Sequence, residues 1–262
     1  MINRTSIIGA GILMLICAWV SAELSVEEIV KRTNLAAYYA GSDGRSDVTM
    51  TITDNLGRER IREFTILRMN IEKGGDQKFY VYFRKPSDVQ DMVYMVWKHI
   101  DTDDDRWMYL PALDLVKRIA AGDKRSSFVG SDFVYEDVSG RSITEDTHEL
   151  TNTTETEYVL KNTPKDEKSV EFSYFTLWID KQSFIPRRAE YYDKQGALYK
   201  TVEALEIKEI QGYPTVIVSQ ATNHDTGSST KTEFSNIMYN IGLTENIFTE
   251  RYLRRPPRQW LQ

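Results

Sequence analysis

After Cys17 the sequence contains no cysteine. Residues 18–262 can therefore build no disulfide framework, thiol nucleophile or cysteine-ligated metal centre. Histidine is almost as scarce: His99, His148 and His224 stand far apart, without the HExxH or paired spacing that sets two imidazoles on one metal. There is no Gly-x-Ser-x-Gly elbow and no phosphate-cradling glycine loop after a strand, and Gly9 and Gly11 fall in an N-terminal apolar run. Lysine and arginine are dispersed and the net charge is −6. That balance lacks the basic footprint of a nucleic-acid partner and mainly serves solubility. What remains points away from an enzyme and implies neither a cofactor nor a metal.

The one long apolar run, residues 7–20, follows a single basic residue, Arg4, and ends in Val20-Ser21-Ala22 before Glu23. It is shorter than the roughly 20 residues of a spanning helix and closes on small residues, so residues 1–22 are expected to be a secretory signal peptide cleaved after Ala22. The alternative is an uncleaved anchor. Cys17 is not expected to carry a lipid, because the residue before a lipidated cysteine is normally small and Ile16 is not. Residues 23–262 suit one large all-β domain, a length that buries a sizeable core without staples.

Residues 25–40 carry the clearest helical signal. Ser25 with Glu28 three residues on makes a capping box, Glu27 and Glu28 sit in the positive first turn, and Gly41 follows. Ile29, Leu35, Ala36 and Tyr39 would form the inner stripe. From Arg45 onward, strands punctuated by Gly, Asn and Asp take over. Residues 47–54 turn at 55–57 onto 58–70, and 77–85 comes next. Later strands are expected at 147–154, 156–162, 169–180, 185–193, 198–210, 213–223 and 230–239. The tail Arg254-Arg255-Pro256-Pro257-Arg258 reads as an irregular, exposed end, with partner docking as its alternative role.

Several strands are apolar on both faces: Phe79-Tyr80-Val81-Tyr82-Phe83, Met92-Val93-Tyr94-Met95-Val96-Trp97, Trp107-Met108-Tyr109-Leu110, and the run around Phe172, Tyr174, Phe175, Leu177 and Trp178. A half-solvated strand would alternate. Such strands either lie between two packed layers or line a cavity, and periodicity does not decide which. Met beside aromatics suits a wall that accepts variable apolar ligands, although such runs are more often ordinary packing.

The segment 106–137 is the most specific. A basic residue and Trp107 lead into Tyr109-Leu110-Pro111-Ala112, then Val116-Lys117-Arg118-Ile119, Gly130-Ser131-Asp132-Phe133 and Tyr135-Glu136-Asp137. The pattern resembles outer-membrane lipoprotein-sorting proteins of the LolA-like superfamily, in the larger, divergent branch whose members often accompany RND-type (MMPL-like) exporters. The resemblance implies a mainly β fold of α+β type: an incomplete antiparallel β-barrel of about ten or more strands with helices covering its open side. It further implies a periplasmic carrier or chaperone that binds acyl chains of a lipid or lipoprotein for transfer toward the outer membrane. An accessory protein that docks to an exporter without cargo is the alternative.

On this reading the cavity wall would draw on Phe79, Val81, Phe83, Met92, Tyr94, Met95, Trp97, Trp107, Tyr109, Phe172, Tyr174 and Trp178. A lid would carry Phe128, Phe133, Val134 and Tyr135, with a short helix starting near Ser131 or Asp132. Lys117, Arg118, Lys124 and Arg125 could meet an anionic head group at the mouth, or be ordinary surface charges. Glu136 and Asp137 read as flanking charges that keep an apolar flap soluble. The acids at Asp101, Asp103, Asp104 and Asp105 lack the glycine and distal glutamate of a calcium loop and read as a solvated turn.

Overall fold

Period-two alternation carries most of the chain into strands. In a computed structural model, which describes residues 23–262, Val48, Met50 and Ile52 are buried on one face of β1 (Asp43–Thr53), while Thr49, Thr51 and Thr53 on the other are half-buried. The signal peptide expected at residues 1–22 lies outside the described residues. The first half continues through β2 (Glu59–Asn70), β3 (Gln77–Lys85), β4 (Val93–Lys98), β5 (Asp105–Leu110) and β6 (Leu115–Ile119). The second half contains β7 (Asp146–Thr153), β8 (Glu157–Pro164), β9 (Phe172–Asp180), β10 (Pro186–Asp193), β11 (Leu198–Ile210), β12 (Tyr213–Asn223) and β13 (Ser228–Tyr239).

All thirteen strands form one antiparallel sheet in the order β6-β5-β4-β3-β2-β1-β13-β12-β11-β10-β9-β8-β7. Each half is a meander, and pairing of β1 with β13, Val48 opposite Phe234, joins them. The edges β6 and β7 do not pair with each other, so the sheet stays open. The expectation of an incomplete antiparallel barrel therefore holds. Because β6 and β7 are the two edges, the segment 120–145 between them must run from one edge to the other.

Helix α1 (Val26–Tyr38) starts as its sequence requires, with Ser25 Oγ accepting from the Glu28 amide at 3.2 Å, a cap of about 1 kcal/mol. Ile29 and Val30 pack against Leu160 of β8 and Ile179 of β9. Helix α2 (Tyr135–Ser139) begins later than expected. The Asp132 amide instead donates to Thr230 Oγ1, and Ser127 pairs with Val134 in a bridge that holds the preceding residues in a tight loop.

Strands β3 to β5 are apolar on both faces because both are covered. On the concave side, Phe79, Val81, Phe83, Tyr94, Val96 and Met108 pack with Phe64 and with Phe128 from the connecting segment. On the convex side, Tyr80, Met95 and Trp107 pack under a C-terminal strap through Phe248, Leu253 and Leu261. Tyr80 Oη donates to the Tyr252 carbonyl at 2.6 Å, and Trp97 Nε1 to the Phe248 carbonyl at 2.8 Å. The strap contains α3 (Glu250–Arg254), and the basic tail at 254–258 leaves it as the largely irregular, exposed end its composition suggested, with Pro257 as its buried residue. Its arginines face solvent while Leu253 and Pro257 point inward.

Candidate functional site

The concave face holds a half-open cavity of about 450 Å³, within the roughly 300–1,000 Å³ usual for small-molecule sites. Val48 and Met50 of β1, Phe64 and Ile66 of β2, and Phe79 and Val81 of β3 form one wall. Ala189 and Tyr191 of β10, Val202 and Ala204 of β11, Val216 of β12 and Phe234 of β13 form the other. Strands so far apart in sheet order share one cavity because the sheet curls. Ala36, Ala37 and Tyr38 of α1 close one side, and Phe128, Phe133 and Val138 of the connecting segment close another. The small side chains at Ala36, Ala37, Ala189 and Ala204 leave the space that larger ones would fill.

The connecting segment is fastened over the concave face by polar bonds from several strands. Arg60 of β2 donates to the Gly130 carbonyl at 3.2 Å. Thr230 and Ser228 of β13 donate to the two oxygens of Asp132 at 2.7 and 2.5 Å. Lys200 of β11 reaches Asp137 at 3.3 Å. Lys98 of β4 is buried and donates to the carbonyls of Ser139 and Gly140 at 2.7 and 3.2 Å. Burial pushes its ammonium down to about 8, against the pull of Asp104 and Glu136.

Of the residues expected in the wall and lid, Phe79, Val81, Phe128 and Phe133 line the cavity. Phe83, Met92, Tyr94 and Tyr135 belong to the packed layer around Phe128, with the Tyr94 and Phe128 ring centres 5.5 Å apart. Val134 is buried at the start of α2. Met95, Trp97, Trp107 and Tyr109 are placed away from the cavity, on the convex face under the strap. Phe172 is buried with Val170 and Tyr199, beneath the Arg125 and Arg141 guanidinium groups. Tyr174 stacks on Tyr192 at 4.6 Å and Trp178 packs under Arg188, both half-buried.

The cations expected at the mouth divide the same way. Lys117 and Arg118 are exposed on the edge strand β6, where Arg118 pairs with Asp105. Lys124 and Arg125 are not free. Lys124 Nζ lies 3.0 Å from Glu136 and 2.7 Å from Glu145, and Arg125 lies 2.9 Å from Glu136 and 2.5 Å from Glu171. Glu136 is therefore no solubilising flank but the buried centre of an ion cluster. The acid-rich turn is partly structural too, since Asp104 pairs with buried Arg106 at 2.6 Å and accepts from the His99 amide at 3.1 Å.

Two-faced apolarity selected strands buried on both sides, whereas much of the cavity is lined by strands that alternate. Val48 and Met50, Phe64 and Ile66, and Val202 and Ala204 line it with a plain period-two spacing that ordinary half-buried strands share, so the spacing alone does not mark them as cavity residues. Among the described residues, no group of His, Cys, Asp and Glu is arranged to hold a metal ion, and no helix is long and apolar enough to cross a membrane.

A family model described as an uncharacterized protein matches residues 75–255, and no curated protein matches the chain. The chain is similar to the crystal structure of a DUF1329 family protein from Desulfovibrio piger, at 30% identity over 86% of this chain and 95% of that one, with a TM-score of 0.78. It is likewise similar to a "putative outer membrane lipoprotein-sorting protein domain" from Vibrio parahaemolyticus, at 29% identity over 87% and 97% of the two chains, with a TM-score of 0.79. It shares its fold with a LolA superfamily protein from Nitrosomonas europaea, at 18% identity over 88% and 100% and a TM-score of 0.68. At 30% identity to the Desulfovibrio relative over 86% of its length, the chain belongs to the DUF1329 family, and its fold is the one seen in the LolA superfamily protein.

Proposed function

We propose that this protein is a non-enzymatic periplasmic carrier that holds an acyl chain of a lipid or lipoprotein in the cavity and passes it toward the outer membrane. The observation that carries the reading is the cavity itself: about 450 Å³, walled mainly by aliphatic and aromatic side chains from both halves of the sheet and roofed by the lid. Burial supplies the driving force. About ten buried methylenes at roughly 0.8 kcal/mol each give some 8 kcal/mol, the scale of micromolar binding before ordering costs. The relative from Vibrio, whose name refers to lipoprotein sorting, supports the same reading.

A tight site with a fastened roof needs a release step. The polar bonds that hold the lid supply the element that a membrane partner would have to bias, and an RND-type exporter or an outer-membrane acceptor is the partner we propose. The test is uptake of the neutral fluorophore N-phenylnaphthylamine by purified protein, together with native mass spectrometry of protein taken from periplasm. Saturable uptake and co-purified lipid are expected. A protein that takes up no probe and carries no lipid would instead be an accessory protein that docks without cargo.

A further inference from the structure

Arg68 is the one cavity-lining arginine without a carboxylate partner among the described residues. Arg45 pairs with Asp47 at 3.1 Å, and Arg188 pairs with Glu190. Arg68 shares its face of β2 with Phe64 and Ile66, and all three line the cavity. Nη1 donates to the Tyr38 carbonyl at 2.9 Å and to Asn70 Oδ1 at 2.7 Å, and Nη2 donates to the Ala40 carbonyl. The Tyr38 and Ala40 carbonyls at the C-terminal end of α1 and the Asn70 amide of β2 are neutral dipoles, so they orient the guanidinium without a formal countercharge. Nε makes no hydrogen bond to the described protein.

The acid whose charge reaches Arg68, Asp43, is already committed. Its oxygens accept the amides of Ile241 at 2.7 Å, Gly242 at 3.1 Å and Leu243 at 3.0 Å. Glu203, the acid on the cavity wall that forms no ion pair, lies opposite Arg188 in the β10–β11 ladder, whereas Arg68 pairs with Gly44 and Phe79 in β1 and β3. Burial also pulls the Arg68 guanidinium below its ordinary value, against the pull of Tyr239 and Asp43. A half-buried cation with no carboxylate in direct contact, lining an apolar cavity, attracts one class of ligand: an anionic head joined to an apolar tail.

We propose that Arg68 receives the carboxylate or phosphodiester head of a single-chain anionic amphiphile, a free fatty acid or a lysophospholipid, whose tail runs along Ile66, Phe64 and Val81. This rests on the carrier reading above and narrows it, since the acylated cysteine of a lipoprotein has no charge to offer Arg68.

The test compares displacement of N-phenylnaphthylamine by palmitate, by the matched uncharged alcohol and by lysophosphatidylglycerol, in wild type, Arg68→Gln and Arg68→Lys. Wild type should prefer at least one anion over the alcohol by about tenfold or more, the size of one charge-assisted hydrogen bond. Arg68→Gln keeps donors for the α1 carbonyls and should lose that preference without changing affinity for the alcohol. Arg68→Lys should restore part of it. A preference for palmitate alone assigns the site to carboxylates, and for the lysophospholipid alone to phosphodiesters. Equal binding of anions and alcohol by wild type, or a preference that survives Arg68→Gln, overturns the inference while leaving the carrier intact. Failure to bind both fluorophore and alcohol brings down the carrier and this inference with it.

Discussion

The carboxylate of Glu136 lies 2.9 Å from the guanidinium of Arg125, and Glu136 is 1% exposed. Lys124 at 3.0 Å and Arg141 at 3.5 Å complete the surrounding charge. Burial pushes the Glu136 carboxyl up, but Arg125, Lys124 and Arg141 outweigh it and hold the group below the ordinary carboxylate range. The cluster joins α2 to the start of the lid and, through Glu171, to the approach to β9.

Glu136→Gln keeps the shape and removes the charge, stranding the cations around it. Breaking a buried pair this way costs about 3–5 kcal/mol. Because the folded carboxyl titrates low, its contribution is complete above its ordinary value of 4.5 and is lost as pH falls through the depressed one. Urea melts should show a large loss for Glu136→Gln near neutrality that narrows in acid, with amide exchange rising first in residues 120–145. Equal midpoints at neutral pH would remove the cluster from the account of the lid.

Lys98 should give a pH dependence of the same sign, displaced to the alkaline range. Its ammonium loses its proton near 8 in the folded protein and at 10.5 when unfolded. Between those values the unfolded chain binds more protons, so stability rises with pH. Comparing wild type with Lys98→Met at about pH 7.5 and about pH 10 isolates the term. The wild-type midpoint should gain relative to the variant at the higher pH, and parallel curves would show that Lys98 titrates normally.

Much of this architecture is legible in the sequence. The Ser25 cap, the hairpin across 55–57 and the strand at 213–223 follow from local chemistry, and local chemistry survives folding. The orientation of β3 to β5 does not, because it depends on which layer covers which face, and the covering strap is a segment whose Arg and Pro content suggests exposure. Leu253 and Leu261 hold that strap down, two apolar residues that composition outvotes. Lys124 and Arg125 read as free cations for a similar reason. Their acids stand 11, 21 and 46 residues away, at Glu136, Glu145 and Glu171, beyond any spacing rule.

Gly140 follows α2 with φ +78°, and a Cβ there would fall 2.5 Å from Tyr38 Cζ. The lid can thus approach α1 only through a glycine. Gly140→Ala should cost about 1–3 kcal/mol for a positive-φ, extended-ψ backbone that is essentially reserved for glycine and about 1–3 more for the clash. In a Tyr38→Ala background the clash term should vanish and the backbone term remain. A cycle with no coupling energy would show that the two residues are not in contact in solution.

The strap separates stability from binding. Leu253 is fully buried on the convex face, so Leu253→Ala should destabilise the fold by about 2–5 kcal/mol. The cavity lies on the other face of the sheet. Fluorophore affinity measured well below the unfolding transition should stay within about twofold of wild type, a few tenths of a kcal/mol. A variant that keeps its stability, or loses affinity while still folded, would refute this division of faces.

Ala204 and Leu205 are neighbours in β11 with opposite prospects. Ala204 lines the cavity, while Leu205 is 52% exposed on the outer side. Ala204→Phe places a ring in the space proposed for the acyl tail, and filling an apolar void recovers roughly 24 cal/mol per Å³ where the fit is good. Its unfolding midpoint should hold or rise while N-phenylnaphthylamine binding falls by about tenfold or more, about 1.4 kcal/mol. Leu205→Phe adds a similar ring to the outside and should change neither quantity. If both variants bind the fluorophore like wild type, the cavity is not where the ligand sits, and the carrier reading loses the observation it rests on.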